Sequence, residues 1–400
     1  MRILVFNSGS SSLKFQLFEI EGNAASSILR GSVRDLGGNA NCEWQYHGQQ
    51  QLQSVAVHDH GDAAELVLGI LDQHADQDQS LLKDISAIGH RIVHGGDTFS
   101  RPILLDDETY AALDKLSQLA PLHNPPALAV VRACQNHLNT IPMIAVFDTA
   151  FFHELPEHVH SYALPGELRS STYNIRRYGF HGLAHRYMSE RYHRLNNTKS
   201  GRVITLQLGH GCSIAAIRDG RPQETSMGFT PLEGLIMATR PGDLDIGIVL
   251  YLLENGIATA SDLNDSLNHR AGLLGLSGVS ANMQELLALE SEGHAGAALA
   301  INAFCHRIRK YVGAYLAVLG GADAIIFGGG IGELSPEIRR RICNTMEWCG
   351  LDLDKQINQS TLGTEARIST NHSQVAAYVM TVDEESLIAL DTLNTLSDTT

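Results

Sequence analysis

Apolar and polar residues alternate along the chain in a pattern that predicts layered α/β structure. Apolar runs at residues 3–7 and 13–20 flank a small polar turn, and together they predict a β-hairpin. A similar unit returns at 203–217, where Gly209 takes the position of Gly9, 200 residues earlier. Strand, glycine turn and strand can also recur by chance, but a spacing of half the chain favours a duplicated fold.

Helices and strands alternate between and after the two hairpins. Buried strands are predicted at 88–93 and 144–147, and helical apolar spacing occurs at 109–119, at 127–138 and after Gly182. Ser335 and Pro336 suit the N-cap and first turn of a further helix. Residues 37–63 and 359–373 are polar and poorly periodic, so we assign them to loops or edge strands. This alternation predicts an α/β fold with mixed sheets flanked by helices.

Length and charge then narrow the class of protein. A chain of 400 residues exceeds one ordinary core and favours two domains. The formal charge of −15, without any cluster of lysines and arginines among aromatics, argues against a nucleic-acid partner. The most apolar region, 312–331, holds Asp323 and six glycines, so we expect the end of a helix and a strand there, not a membrane span.

The cysteines and histidines add little chemistry of their own. Six cysteines are scattered without a C-x-x-C pair, which is typical of reduced thiols in a cytoplasmic protein, and no secretory signal is recognisable. Among 19 histidines, His153 and His158 are one residue too far apart for a zincin helix, which Pro156 would also disturb. We therefore expect no zinc catalysis.

Two glycine-containing segments could bind phosphate. Gly9 is followed by Ser10, Ser11, Ser12 and Lys14, which offer hydroxyls and a cation, although the P-loop pattern is absent. A solvated serine-rich turn is the alternative.

The second segment, Gly328 to Gly332, lies between an apolar strand and the helix predicted at Ser335. Free N–H groups at such a turn could receive a phosphate. A tight strand-to-helix connection would favour glycine equally well.

A few polar residues stand out against their surroundings. Arg91 lies in an apolar strand and should need an anionic partner, and Arg240 lies in a loop stiffened by Pro-Gly. Asp148 ends a predicted strand, while His123 and His181 precede helices. Each could be structural, through an ion pair or a hydrogen bond, and only their combination suggests a site.

The chain resembles the acetate kinases over nearly its whole length, with propionate and butyrate kinases nearby. The resemblance is carried by ordered motifs: NSGSSSLK (7–14), HRIVHGG (90–96), PLHNPP (121–126), FDTAFF (147–152), YGFHG (178–182), TPLEG (230–234) and GGGIG (328–332).

This resemblance implies two duplicated ribonuclease-H-like, actin-like ATPase domains with the active site in the cleft between them. We expect domains at 1–149 and 150–384, a C-terminal helix at 385–400 that returns to the first domain, and a homodimer. The implied reaction is reversible, direct in-line transfer of phosphate between ATP and acetate, with Mg²⁺ or Mn²⁺, giving acetyl phosphate and ADP.

Residue roles are carried over from the same resemblance. The catalytic group would comprise Arg91, His123, Asp148, His181 and Arg240, with Asp148 orienting the carboxylate or the metal. The pocket for the acid would be formed by Val93, Leu122, Phe180 and Pro231. Nucleotide or phosphate contacts would come from Asn7, Ser10, Ser12, Lys14, Gly209, His210, Gly211, Asn282, Met283, Gln284, Gly328, Gly329, Gly330, Ile331 and Gly332. Asn7 and Glu384 would face the metal.

Departures from the family pattern leave the phosphoryl donor open. Gln207-Leu-Gly-His210-Gly211 replaces the usual His-Leu-Gly-Asn-Gly, and Asn282-Met283-Gln284 replaces Asp-Phe-Arg. Another nucleotide or pyrophosphate is therefore an alternative donor, and propionate an alternative acceptor. A non-catalytic actin-like nucleotide-binding protein is the rival from another class.

Overall fold

The computed structural model of the chain describes residues 1–22, 24–76, 79–169 and 174–399. The chain divides into two compact units. The first unit is Met1–His153 together with Asp383–Thr400, and the second unit is Glu154–Val382.

The first unit is built on a mixed β-sheet. Its strands are β1 (Arg2–Ser8), β2 (Ser12–Glu21), β3 (Ala24–Arg34), β4 (Gly38–Tyr46), β5 (Gln49–Val57), β6 (Ala75–Asp76), β7 (Gln79–Ser80), β8 (Ile85–Ile92), β9 (Ile103–Leu104) and β10 (Met143–Phe147). Eight of them form one sheet in the order β5-β4-β3-β2-β1-β8-β10-β9, while β6 and β7 pair with each other.

Helices cover the sheet of the first unit. They are α1 (His60–Gln73), α2 (Asp107–Lys115), α3 (Asn124–His137) and a C-terminal helix (Glu384–Thr399), with 3₁₀ turns at Leu81–Asp84, Leu116–Gln118 and Ala150–Phe152. The C-terminal helix packs closely on β8, because a Cβ at Gly89 would lie only 2.4 Å from Thr392 Oγ1 and 2.8 Å from Ile388 Cγ2. Glycine at position 89 therefore permits this helix to dock.

The second unit repeats the arrangement. Its strands are β11 (Arg202–Leu208), β12 (Cys212–Arg218), β13 (Arg221–Thr225), β14 (Ala324–Gly328), β15 (Ala366–Arg367) and β16 (Ala376–Val379). Its helices are α4 (Glu157–His160), α5 (Gly166–Arg169), α6 (Gly182–Leu195), α7 (Ile246–Glu254), α8 (Ala260–His269), α9 (Gly272–Ser277), α10 (Met283–Ser291), α11 (Ala295–Leu319), α12 (Gly329–Leu334), α13 (Pro336–Cys343) and α14 (Lys355–Ser360), with a 3₁₀ turn at Glu347–Cys349.

The two sheets share one strand order. Six strands of the first unit run β3-β2-β1-β8-β10-β9, and the six of the second run β13-β12-β11-β14-β16-β15. In each sheet an antiparallel hairpin is followed by two parallel pairings and one antiparallel edge pairing. Gly9 and Gly209 occupy the two equivalent hairpin turns, where the N–H of Gly9 donates to Ser12 and that of Gly209 to Gly211. The predicted duplicated α/β fold with mixed sheets is confirmed.

One region differs from the sequence-based expectation. Residues 37–63 form β4, β5 and the start of α1, and only β5 lies at a sheet edge. Most side chains of β5 are exposed, which explains its polar sequence. Helix α1 begins where the Asp59 side chain accepts from the N–H of Asp62, a local cap that apolar periodicity does not reveal.

In the part of the chain that the structure describes, even the longest helix, α11, lacks the apolar character needed to cross a bilayer.

Candidate functional site

In the first unit, polar side chains meet at the carboxyl ends of three neighbouring parallel strands. Asn7 is near the end of β1, Arg91 lies on β8 beside it in register, and Asp148 follows β10. Arg91 donates from Nε to Asp148 Oδ1 at 3.0 Å and from Nη2 to Asp148 Oδ2 at 2.5 Å. Its Nη1 donates to Asn7 Oδ1 at 3.0 Å. The anionic partner expected for Arg91 is therefore Asp148.

This ion pair is shielded from solvent. The Arg91 side chain is 12% exposed and that of Asp148 is 1% exposed. Burial is the largest single influence and would lower the pKa of Arg91, but Asp148, Glu384 and Glu385 together outweigh it and raise the pKa above its usual value. Arg91 is therefore a fixed cation whose donors have set directions.

Two acidic residues of the C-terminal helix complete this cluster. Asn7 Nδ2 donates to Glu384 Oε2 at 3.0 Å and to Glu385 Oε1 at 2.8 Å, and Lys14 Nζ lies 3.7 Å from Glu385 Oε1. Glu385 was not predicted as a site residue, although it adjoins Glu384 in the same helical turn. The two carboxylates offer the hard oxygen ligands that Mg²⁺ prefers. A ready-made cluster of three or more His, Cys, Asp or Glu ligands does not occur in the described residues.

Three further predicted residues of the first unit lie in the turn between β1 and β2 or at the start of β2. Ser10 is exposed, Ser12 is half-buried, and the Lys14 side chain is 62% exposed. The His60 imidazole Nε2 lies 2.8 Å from the Gly9 carbonyl oxygen and holds the turn from below. The other predicted residues of this unit are Val93, which is buried, Leu122, which is exposed, and His123, which occupies the N-cap position of α3 without a capping bond.

In the second unit, His181 and Arg240 approach the same point. A Cβ built on Gly211 would lie 3.4 Å from His181 Nε2 and 3.8 Å from Arg240 Nη1. His181 has φ of 57°, a left-handed conformation that is uncommon outside glycine, and it directly precedes α6. Glycine at 211 thus leaves space beside both an imidazole and a guanidinium.

Arg240 differs sharply from Arg91 in its charge balance. Its Nη1 donates to the Pro231 carbonyl at 3.3 Å and contacts Met237 Sδ at 3.8 Å, and within the described chain no carboxylate pairs with it. Burial lowers its pKa from the usual value, yet arginine stays charged near neutral pH. A partly buried cation without an anionic partner is a candidate site for an anion.

An ionic network holds the loop that carries Pro231 and Arg240. Glu233 accepts hydrogen bonds from Tyr162 and from Arg177 Nη2, the latter at 2.7 Å. Asp243 accepts from Tyr311 Oη at 2.9 and 3.0 Å and from the Gly234 N–H at 3.0 Å. Sequence reasoning missed these residues, although Glu233 lies in the TPLEG motif. Glu233 is 71 residues from Tyr162 and Asp243 is 68 residues from Tyr311, so no local pattern links them.

A cavity of about 680 Å³ opens in the second unit beside these groups. Its walls come from the strand-to-helix turns and from α10, and they are Gly209, His210, Ala238, Ala281, Asn282, Met283, Gln284, Leu287, Gly330, Ile331, Leu334, Ser335, Pro336, Glu337, Gln359 and Leu362. Partial burial, and then the charge of Arg240, lower the pKa of His210. Seven of the predicted nucleotide-contacting residues therefore share one cavity, and Gln284 is exposed there.

One expectation about this region is wrong. The N–H of Gly329 is not free for phosphate, because it donates to Glu333 Oε1 at 2.9 Å. The predicted helix start is confirmed, since Ser335 occupies the N-cap position of α13 and Pro336 its first turn, although the Ser335 side chain makes no capping hydrogen bond. The cavity wall includes Gly330 and Ile331, and not Gly328, Gly329 or Gly332.

Asn282 caps helix α10. Its Oδ1 accepts from the N–H of Gln284 at 2.8 Å and of Glu285 at 3.3 Å, and the residue also lines the cavity. Met283 is buried beneath it. The wall of the cavity formed by the start of α10 thus has amide side chains at positions 282 and 284, where the family pattern has a charged pair.

Comparison with known proteins decides the family. The sequence model described as the Acetokinase family matches residues 2–390. The chain belongs to the acetokinase family.

Curated relatives and solved structures agree with the family over its full length. The chain is 42% identical over 398 residues to the acetate kinase of Desulfitobacterium hafniense, covering 98% of this chain and 99% of that protein. The crystal structure of Porphyromonas gingivalis acetate kinase superposes with a TM-score of 0.89 at 38% identity, covering 99% of each chain. A propionate kinase from Francisella tularensis gives 0.90 at 36% identity, covering 98% of this chain and 99% of that one.

Proposed function

We propose that the chain is an acetate kinase that transfers the terminal phosphoryl group of ATP to acetate and also runs in reverse. The observation that carries this proposal is Arg240, a partly buried guanidinium beside the imidazole of His181 that pairs with no carboxylate among the residues the structure describes. Phosphoryl transfer needs fixed positive charge and hydrogen-bond donors around three equatorial oxygens, and it needs little else from the protein.

In the forward reaction a carboxylate oxygen attacks the γ-phosphorus, while the bond from that phosphorus to the bridging oxygen of ADP breaks. We propose that Arg91, His181 and Arg240 hold the migrating group, with His123 assisting. Asp148 is committed through both oxygens to Arg91, so its expected role is to position that guanidinium. A carboxylate nucleophile needs no general base, and we assign none.

Glu384 and Glu385, with Asn7 between them, are the residues we propose for Mg²⁺ or Mn²⁺. Two carboxylates plus water and phosphate oxygens form a typical magnesium environment. When bound, the cation would neutralise charge on the donor phosphates. Ser10, Ser12 and Lys14 would contact phosphate from the open turn, and the cavity beside His210 would receive the nucleoside.

For the acceptor we propose acetate over longer acids, with Val93, Leu122, Phe180 and Pro231 as the apolar contacts. The likeness to a propionate kinase structure keeps propionate as the second candidate. One methylene changes selectivity by only about 1 to 3 kcal/mol, so both acids should be tested.

A homodimer is part of the proposal, and helix α7 supports it. This helix is strongly apolar, yet none of its side chains is buried, with Ile246 72%, Leu250 51% and Tyr251 58% exposed. An apolar surface of this kind is rare on a monomer. A second copy related by a two-fold axis would cover it with the same helix. A reducing, cytoplasmic environment is also proposed, since all six thiols are free.

A hydroxamate assay tests the reaction. Acetate, propionate and butyrate would each be combined with ATP, GTP or pyrophosphate, and any acyl phosphate trapped with hydroxylamine. We expect acetate with ATP to give the highest kcat/KM, and Arg240→Ala to lower kcat by about 10² to 10³-fold. Arg270→Ala, at an exposed ion pair with Asp265, is the matched control. Wild-type turnover in Arg240→Ala, or nucleotide hydrolysis independent of the acid, would contradict the proposal.

A further inference from the structure

A chain of three buried side chains runs from His181 into the core of the second unit. His181 Nδ1 lies 2.8 Å from Ser213 Oγ, and the same oxygen lies 2.8 Å from His185 Nε2. His185 Nδ1 lies 2.7 Å from Thr205 Oγ1. Ser213, His185 and Thr205 are each 0% exposed, so solvent does not compete for these hydrogen bonds.

Secondary structure brings these groups together. His181 and His185 are one helical turn apart at the start of α6, which places both rings on one side of the helix. Ser213 on β12 pairs with Gln207 on β11, two residues beyond Thr205, so the two hydroxyls share a sheet face. Helix α6 packs against β11 on that face.

The donors and acceptors available to these side chains fix the direction of each hydrogen bond. Among the described residues, His185 Nδ1 is the one acceptor within reach of the Thr205 hydroxyl proton. A buried hydroxyl that fails to donate costs about 1 to 3 kcal/mol, so Thr205 donates to Nδ1. Burial lowers the pKa of His185 well below its usual value, so the ring is neutral and carries a single proton.

That proton must then be on His185 Nε2, from which it is donated to Ser213 Oγ. A hydroxyl has one proton to give, and the Ser213 hydroxyl is left to donate to His181 Nδ1. We propose that Thr205, His185 and Ser213 are positioning residues that hold His181 as the neutral tautomer with its proton on Nε2. Nε2 lies with Cε1 at the edge of the ring beside the space above Gly211, and Arg240 Nη1 also approaches that space.

The effect of this proton position on phosphoryl transfer rests on the proposed function. An Nε2–H group donates a hydrogen bond to a phosphoryl oxygen without losing its proton, whereas the other tautomer would present a lone pair to an anion. Charged and titratable groups near the ring include His185, which shares the Ser213 hydroxyl with it, and Arg240 beside Gly211.

Nitrogen NMR of the His181 ring shows directly which of its two nitrogens carries the proton. Protein labelled with ¹⁵N at histidine would be recorded near pH 7, and the His181 signals identified by their loss in His181→Gln. We expect an unprotonated Nδ1 and a protonated Nε2. A proton on Nδ1 in the wild type would overturn the proposal. This readout needs no turnover, so it holds even if the chain fails to make any acyl phosphate, an outcome that would remove the proposed function alone.

Matched substitutions at Thr205 test whether its hydroxyl sets the proton positions on the His181 ring. Thr205→Val keeps the shape and removes the hydroxyl, so the two proton orders become nearly equal in energy and the His181 nitrogen shifts move toward averaged values. Thr205→Ser keeps the hydroxyl and should keep the wild-type spectrum. We expect kcat to fall at least twofold in Thr205→Val with an unchanged KM for acetate.

The packing control is Ser189→Ala, which removes a buried hydroxyl from α6 that has no hydrogen-bond partner among the described residues. It should leave both the spectrum and kcat unchanged. A wild-type spectrum in Thr205→Val, or equal kinetic losses in Thr205→Val and Thr205→Ser, would overturn the proposal, because only the loss of the hydroxyl should matter.

Discussion

Arg339 should be one of the most costly residues to replace in the second unit. It lies on α13 with 0% exposure, and its five hydrogen bonds to described residues all go to uncharged oxygens. Two reach the carbonyls of Gly332 and Glu333 at 2.8 and 3.0 Å, and the others reach Asn358 and Thr361 at 2.7 to 2.9 Å. Arg339 thereby ties together the segments that carry Leu334 and Leu362, on two sides of the cavity.

The magnitude follows from these contacts. Burial lowers the pKa of Arg339 to about 10, which corresponds to a penalty of about 3 kcal/mol for holding the charge inside. Hydrogen bonds from a charged donor contribute about 1.5 kcal/mol each, and five of them outweigh that penalty. We expect Arg339→Met to lower the free energy of unfolding of the second unit by about 4 kcal/mol, because it leaves buried oxygens without donors.

Urea unfolding followed by far-UV circular dichroism measures this loss, and the KM for the nucleotide should rise where the variant stays folded. Arg340→Met is the matched control on the same helix. Arg340 is 50% exposed and pairs with Glu337, so its loss should cost about 0 to 1 kcal/mol. If both variants lose the same stability, the carbonyl cluster around Arg339 does not stabilise the fold and the reasoning fails.

Four further outcomes are expected. Arg91→Met should lower kcat by about 10²-fold or more. Asp148→Asn, which weakens the ion pair with Arg91, should lower kcat by a smaller factor, and an equal decrease would argue against a positioning role for Asp148. Glu384→Gln should raise the Mg²⁺ concentration needed for half-maximal rate, and an unchanged requirement would remove Glu384 from the metal site. Burial lowers the pKa of His90 to about 3, so the unfolded chain binds more protons between pH 3 and 6.5; stability is full above about pH 6.5 and falls on acidification. Between pH 7 and pH 5, the free energy of unfolding of His90→Phe should therefore fall by about 2 kcal/mol less than that of the wild type, as measured by urea unfolding. Equal decreases in the two proteins would refute this. Ile248→Glu on α7 should yield monomers in sedimentation velocity, and a persistent dimer would exclude that helix from the interface.

The sequence by itself determined the periodic features of this protein. Alternating apolar runs and the 200-residue spacing of Gly9 and Gly209 predicted two duplicated mixed sheets, because the apolar pattern of a hairpin or a buried strand is visible within a short stretch of sequence. The same reasoning singled out Arg91, since an arginine in a buried strand must find an anion. Ordered motifs led to the family.

Tertiary structure alone decided the partners. Asp148 is 57 residues from Arg91, and Glu385 is 378 residues from Asn7, so no local pattern links them. The same holds for Glu333, which takes the Gly329 N–H that the glycine pattern suggested was free. The proton order behind His181 depends on Thr205 and Ser213, which look like ordinary strand residues until the sheet and α6 bring their hydroxyls to the same ring. Hydrogen bonds between distant segments depend on packing in three dimensions, so the periodicity of apolar residues along the sequence does not predict them.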